Sequence, residues 1–142
     1  MRLLARGLRH PFYPALKLAP VARANGRCAA LAGTVPELSN AVVQVDCAVF
    51  PLRYPHSPFL EDAQREALWR RFRVPVFAIL LDSRNRVIGY ECEIQDGFHL
   101  APDYAGGFLF GSLEPSPCDC GRPGPRFIRQ ETAILEAIAV AP

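Results

Sequence analysis

The chain has 142 residues, of which 50% are apolar and 21% are charged, a composition that predicts a single globular domain. No apolar run approaches the roughly 20 residues of a membrane-spanning helix. The leucine pair near the N-terminus is too short for the core of a signal peptide. We therefore expect a cytoplasmic protein with no membrane partner. The five cysteines have no regular spacing, which favours reduced thiols or a metal over disulfides.

The charges are distributed unevenly along the chain. The net charge is +2, but residues 1–36 contain six basic residues and no acidic residue. Prolines interrupt this segment, so we predict a basic N-terminal arm, residues 1–36, that packs on a single α+β domain, residues 37–142. Basic residues of the chain are nearly all arginines, a bias that we attribute to a bacterial-like genome composition.

The arm has two alternative roles. Phe12, Tyr13 and Leu16 are apolar enough to pack the arm on the domain. An acid-free, arginine-rich segment is also a candidate site for a polyanion or nucleic acid. The residues that would contact nucleic acid are Arg2, Arg6, Arg9 and Lys17.

The next two elements are a strand and a helix. Residues 40–50 alternate between apolar and polar side chains, with Val45, Cys47 and Val49 on the apolar face, which predicts a strand. Ser57-Pro58 is typical of a helix start, and the acidic residues and then arginines that follow suit the helix dipole. We therefore predict a helix that begins at Pro58 and ends before Pro75.

A β-hairpin over residues 76–94 is the strongest structural pattern. The apolar run of its first arm, which includes Phe77, Ile79 and Leu81, predicts a central strand that is covered on both faces. In its second arm the apolar and polar residues alternate. The predicted core face carries Ile88, Tyr90, Cys92 and Ile94, and the opposite face carries Glu91 and Glu93.

The order of the predicted elements indicates the fold class. A further strand over 107–113 and a closing helix from about Arg126 to Val140 complete the order β-α-β-β-β-α. This order predicts an α+β fold with a mostly antiparallel sheet around the central hairpin and with helices packed on one face. Because a helix connects strands 40–50 and 76–82, we expect these two strands to be parallel.

Two cysteines in a loop rich in proline and glycine form a candidate metal site. Cys118 and Cys120 could coordinate one soft ion, and zinc requires two further ligands. We choose Cys92 and His99, because the second arm of the hairpin and its following turn could approach this loop. The cysteine pair is unique in the chain and tighter than the usual zinc spacing. Two reduced cysteines without a cofactor therefore rank ahead of a zinc site.

Rigid loops at 51–58 and 114–125 are the candidate surfaces for a partner. The partner-binding candidates are Arg53, Tyr54, His56, Arg122 and Arg126. A catalytic cysteine ranks lower, because Cys47 and Cys92 are predicted on apolar strand faces, where cysteine is usually inert.

Three functional hypotheses follow from these patterns. The first is a small cytosolic, non-enzymatic interaction or regulatory protein that binds another protein, because the sequence contains no complete catalytic constellation and no cofactor fingerprint. The second is a metal- or thiol-dependent enzyme that uses Cys118 and Cys120 with a histidine. The third is a protein that binds a polyanion or nucleic acid through the basic arm.

Overall fold

The computed structural model describes residues 9–101 and 112–129. Within these ranges the chain forms nine strands, two α-helices and a short 3₁₀-helix at Val21–Arg23. The strands are β1 (Arg9–His10), β2 (Tyr13–Pro20), β3 (Gly26–Gly33), β4 (Val43–Arg53), β5 (Ile79–Leu81), β6 (Val87–Tyr90), β7 (Phe98–Leu100), β8 (Ser112–Glu114) and β9 (Arg126–Ile128). The helices are α1 (Val35–Asn40) and α2 (Asp62–Phe72). Neither of these two helices is long and apolar enough to cross a bilayer.

The strands form one mixed sheet in the order β1-β2-β3-β4-β5-β6-β7-β9-β8. Strands β2 to β5 are parallel to one another, and the remaining pairs are antiparallel. The prediction that β4 and β5 are parallel is confirmed by the pairing of Leu52 with Ile79. The described residues thus form an α+β fold. The predicted β-α-β-β-β-α order and mostly antiparallel sheet are not confirmed, because residues 9–33 add three strands before the first helix.

Residues 9–33 belong to the same sheet as the rest of the described chain. Strand β3 pairs with β4 from Gly26 to Gly33, and Phe12, Tyr13 and Leu16 pack against the core. The division of the chain at residue 36 stays a prediction. Residues 1–8 lie outside the described residues, and with them Arg2 and Arg6.

The apolar core covers both faces of the sheet, because alternate residues of the central strands point to opposite sides. One face carries Phe50, Phe77 and Ile79, over which the β1–β2 hairpin packs. The other face lies under the two helices, which contribute Leu38 from α1 and Leu68 from α2.

The first predicted helix begins four residues later than expected. Ser57 does not cap it, because its hydroxyl accepts a hydrogen bond from Arg53 at 3.2 Å and its N–H donates to the Tyr54 carbonyl in a turn. The helix begins at Asp62, and the side chain of Gln64 accepts a hydrogen bond from the N–H of Glu61 at 3.0 Å. It ends at Phe72. The sequence therefore contains a second possible helix cap, Glu61 with Gln64, after the Ser-Pro pair from which the start was predicted.

Two bulges change the predicted strand faces. In the β3–β4 pairing, the register shift beside Val45 turns Cys47 outward, so the prediction of an apolar environment for Cys47 is wrong. In the β5–β6 pairing, Ile88 is an extra residue. It packs with Leu80 on one face, whereas Tyr90 packs on the other.

The second arm of the hairpin is also shorter than predicted. Strand β6 ends at Tyr90, and a turn follows in which the N–H of Gln95 donates to the Cys92 carbonyl. The turn breaks the alternation, so Ile94 is 41% exposed and Glu91 is buried, the reverse of the prediction. The predicted closing helix is wrong at its start, where residues 126–128 form β9. Its remainder and most of the predicted strand 107–113 lie outside the described residues.

The prediction of a buried first arm is confirmed, since Phe77, Ile79 and Leu81 are all buried. Replacing Ile79 by Ala should lower the free energy of unfolding by about 2–5 kcal/mol, because the side chain is fully enclosed and leaves a cavity. Val42→Ala is the control: Val42 is 89% exposed, so its loss should stay within about 0.5 kcal/mol. A loss below about 1 kcal/mol for Ile79→Ala in denaturant unfolding would contradict the central position of β5.

His10 makes the stability of the fold depend on pH. The ring is buried among Phe12, Tyr13, Phe50 and Tyr90. Burial, helped by the positive charge of Arg122, lowers the pKa of His10 from 6.5 to about 4.

As the pH falls from 6.5 to about 4, His10 therefore becomes protonated in the unfolded chain but stays neutral in the folded chain. Stability should decrease by about 3 kcal/mol over this window from His10 alone. Urea unfolding at several pH values, with a chelator present throughout, measures this term. A His10→Phe variant should give a flatter profile, and parallel profiles would contradict the assignment.

Candidate metal centre

Three cysteines and one histidine from separate parts of the chain meet at one point. They are Cys92, His99, Cys118 and Cys120, which we call the candidate metal centre, and their ligand atoms all lie within 4.8 Å of one another. Cys92 follows β6, His99 lies in β7, and the other two lie in the loop between β8 and β9. These are the four residues that the sequence analysis selected as ligands, and the structure brings all of them together.

The sheet brings the four residues together by pairing β7 with both of its neighbours. His99 lies opposite Tyr90 of β6 on one side and opposite Arg126 of β9 on the other. The end of β6 and the loop that enters β9 therefore converge on His99. Gly97 permits this close approach, since its φ is +82° and a Cβ would lie 2.6 Å from the Phe127 carbonyl oxygen.

The loop over residues 115–125, the cysteine loop, presents both of its thiols to the same point. A tight turn, closed by the hydrogen bond from the Gly121 N–H to the Cys118 carbonyl at 2.9 Å, folds the two cysteines together. Gly121 has a φ of +87°, a conformation that glycine adopts without steric cost. The short C-x-C spacing is thus compatible with two ligands to one ion.

Two separations within the centre match those of a tetrahedral zinc site. The sulfurs of Cys92 and Cys118 are 3.7 Å apart, and the Cys120 sulfur is 3.5 Å from Nε2 of His99. Zn–S bonds of about 2.3 Å and Zn–N bonds of about 2.0–2.1 Å place tetrahedral ligands about 3.8 Å apart for two sulfurs and about 3.6 Å apart for sulfur and nitrogen. The sulfur separation is much longer than a disulfide bond of about 2.05 Å. These two separations are therefore the ones expected for ligands of one ion.

The protonation of the centre also suits a metal. Burial, followed by the positive charges of Arg122 and Arg126, lowers the pKa of His99, which keeps its imidazole in the neutral form that binds metals. Burial opposes ionisation of Cys120, but hydrogen bonds from Arg122, Cys118 and Cys92 together outweigh it and lower the pKa of that thiol. Its sulfur accepts a hydrogen bond from the Arg122 N–H at 3.4 Å.

A bound metal would change the protonation state of Cys92. In the absence of an ion, burial raises the pKa of Cys92 to about 12, and the hydrogen bonds with the neighbouring cysteines contribute to the rise. A bound divalent cation would reverse this effect, because a coordinated thiol is deprotonated outright. Metal binding would therefore release a proton from Cys92.

Three of the four residues of the centre are shielded from solvent. Cys92, His99 and Cys118 are 1%, 5% and 3% exposed, and Cys120 is half-buried. Four protein ligands complete a tetrahedron, which is the arrangement of structural zinc sites, whereas catalytic sites leave one position for water or substrate.

The candidate residues for partner binding lie in two regions. Arg53 donates hydrogen bonds to Ser57 and to the Phe59 carbonyl, and Tyr54 stacks on the exposed His56. In the cysteine loop region, Arg122 forms an ion pair with Glu93, and Arg126 is buried and forms an ion pair with Asp96. Their roles in binding a partner stay predictions.

An ion pair beside the centre was missed by the sequence analysis. Glu91 is 4% exposed and accepts hydrogen bonds from the Ala78 N–H and from the Arg65 guanidinium, both at 2.6 Å. Burial raises the pKa of Glu91, while Arg65 and the Ala78 N–H act in the opposite direction. The pair ties α2 to the residue that precedes Cys92. The alternation of apolar and polar residues in the second arm of the hairpin had predicted Glu91 on the face opposite the core. No pattern in the sequence indicated that it is buried.

No protein-family model matches the chain, and no curated protein matches it. The chemistry of the centre is therefore the basis on which we infer a function.

Removing the arginine of the buried pair should be costly. Arg65→Ala leaves the Glu91 carboxylate buried without its cation, so we expect a loss of about 3–5 kcal/mol in the free energy of unfolding. Arg70→Ala is a matched control in the same helix, since the Arg70–Glu66 pair is 68% and 61% exposed. Its loss should be about 0.3–0.5 kcal/mol. Equal losses in chemical unfolding would contradict a structural role for the Arg65–Glu91 pair.

Proposed function

We propose that the protein binds one Zn²⁺ through Cys92, His99, Cys118 and Cys120, and that this ion has a structural role in a small non-enzymatic protein. The observation that carries the proposal is the convergence of four soft ligand atoms within 4.8 Å. Three thiolates and one imidazole in a tetrahedral arrangement select zinc over the oxygen-seeking ions calcium and magnesium.

The ion would hold a segment that has little apolar support of its own. In the cysteine loop, Cys118 is buried, Cys120 and Arg122 are half-buried, and the other residues are exposed. Such a loop gains little from the hydrophobic effect, which depends on apolar area removed from water. Zinc would link it to β6 and β7 and order it through coordination.

A closed centre supports the non-enzymatic hypothesis over the metal-enzyme hypothesis. With all four positions filled by protein, the ion has no site for a water or a substrate carbonyl. We further propose that the protein acts by binding another protein. A metal-ordered loop would present exposed proline-flanked residues rigidly to such a partner, and rigid loops on a scaffold are common recognition surfaces. The reduced thiols that zinc requires suit a cytoplasmic location.

Metal content tests the zinc proposal directly. Protein purified without chelator should contain one zinc per chain by elemental analysis. Cys118→Ser should lose most of it, because one of four ligands is removed. Cys47→Ser is the matched control, since Cys47 is exposed and lies outside the centre, and it should keep its zinc.

A chelator should lower the melting temperature of the wild type and of Cys47→Ser, with little effect on Cys118→Ser, because only a chain that holds zinc has that stabilisation to lose. Less than stoichiometric zinc in the wild type, or full zinc in Cys118→Ser, would refute the site.

A further inference from the structure

The tip of the β1–β2 hairpin, residues 10–13, lies against the candidate metal centre. Strands β1 and β2 are antiparallel, with His10 opposite Tyr13, and Phe12 stands between them in the turn. The Phe12 N–H donates to Nδ1 of His10 at 3.1 Å, and the buried His10 ring fixes the base of the turn. These contacts therefore fix the orientation of the Phe12 side chain.

Phe12 contacts a ligand of the centre. Its ring meets the ring of His99 edge to face, with a centroid distance of 5.0 Å and an angle of 87°. The guanidinium carbon of Arg122 lies 4.3 Å from the centroid of the Phe12 ring, a cation–π contact. Arg122 also donates its backbone N–H to the Cys120 sulfur. Phe12 is thus in contact with one ligand and connected through Arg122 to a second.

The hairpin tip is attached on the other side of the centre as well. Glu93, the residue after Cys92, accepts two hydrogen bonds from Arg122 at 3.1 and 2.9 Å and one from the Tyr13 hydroxyl at 3.0 Å. The Tyr13 ring stacks on Phe77 with a centroid distance of 5.4 Å. Tyr13, Glu93 and Arg122 therefore join the hairpin tip to chain segments that supply three of the four ligands.

We infer that the hairpin tip is a lid over the zinc ion and that Phe12 is the positioning residue that controls how fast the ion leaves. The inference rests on the proposed zinc site. Release requires His99 or Cys120 to swing away and a competing ligand to enter, and the Phe12 ring with its Arg122 partner covers both side chains. The closed lid contacts His99 and Arg122, so it should also strengthen zinc binding at equilibrium, and zinc should then stabilise the closed lid by the same free energy.

The rate of zinc transfer to a colorimetric chelator tests whether the hairpin tip slows zinc release. Zinc-loaded Phe12→Ala should pass its ion to excess 4-(2-pyridylazo)resorcinol about tenfold faster than the wild type, since an edge-to-face contact and a cation–π contact are lost. Phe12→Tyr keeps the ring and should release zinc at a rate within about twofold of the wild type.

Phe59→Ala is the matched control. Phe59 is also half-buried, stacks on Phe127 and carries an arginine over its ring, with Arg129 at 5.3 Å, but the contacts of its ring do not include a ligand of the centre. Both alanine variants should lower the stability of the metal-free protein, but only Phe12→Ala should accelerate release. If both variants release zinc equally faster than the wild type, the lid proposal is overturned, because the faster release would then reflect general loosening of the fold.

Hydrogen exchange on the wild-type chain tests the same inference without a variant. The amides of His10, Phe12 and Tyr13 should exchange at least about tenfold faster after zinc removal, while those of β3 and β4 should change less. Unchanged exchange at the hairpin tip would overturn the lid even if zinc is bound stoichiometrically. Absence of zinc from the wild type would instead remove the proposed function, so the two failures are distinguishable.

Discussion

In the zinc proposal, coordination of one ion by Cys118 and Cys120 is the interaction that holds the cysteine loop on the sheet. A loop of this composition, with four prolines and exposed polar residues, has no apolar face to bury. Cys118 is its single buried side chain, and that side chain is a ligand. A tetrahedrally coordinated ion would crosslink the end of β6, strand β7 and the loop that precedes β9. The rest of the local structure, including the ion pairs and the hairpin tip, is arranged around that point.

The two glutamates on either side of Cys92 have opposite environments. Glu91 is buried and bound to Arg65 of α2, whereas Glu93 is partly exposed and bound to Arg122 and Tyr13. One glutamate therefore ties the Cys92 segment to the helical face of the sheet, and the other ties it to the hairpin on the opposite face. Cys92 lies between two anchors and has little freedom to move, so this ligand is held in place before the cysteine loop is ordered by an ion.

Much of the fold was predictable from residue pattern, and the errors have local causes. The apolar run before the Asp-Ser-Arg-Asn turn correctly indicated a central strand, because a strand that is apolar on both faces must be covered on both faces. Cys47 and Ile88 were misplaced by bulges, which insert one residue and reverse the alternation without any sequence mark of their own. Strands β1 and β2 were missed because prolines, which edge and parallel strands tolerate in places, suggested an extended arm instead.

The four ligand candidates were available from the sequence because cysteine and histidine are few in this chain and two of the cysteines share one loop. Sequence by itself determined the chemistry of the centre: three thiols and an imidazole can bind a soft ion wherever they meet. Only the tertiary structure decided that they do meet, since the approach of Cys92 and His99 to the cysteine loop depends on β7 pairing with both β6 and β9. The burial of Glu91 and the contact of Phe12 with His99 were also decided there. Contacts between residues distant in the chain arise from strand order, and periodicity within a segment carries no information about which strands become neighbours.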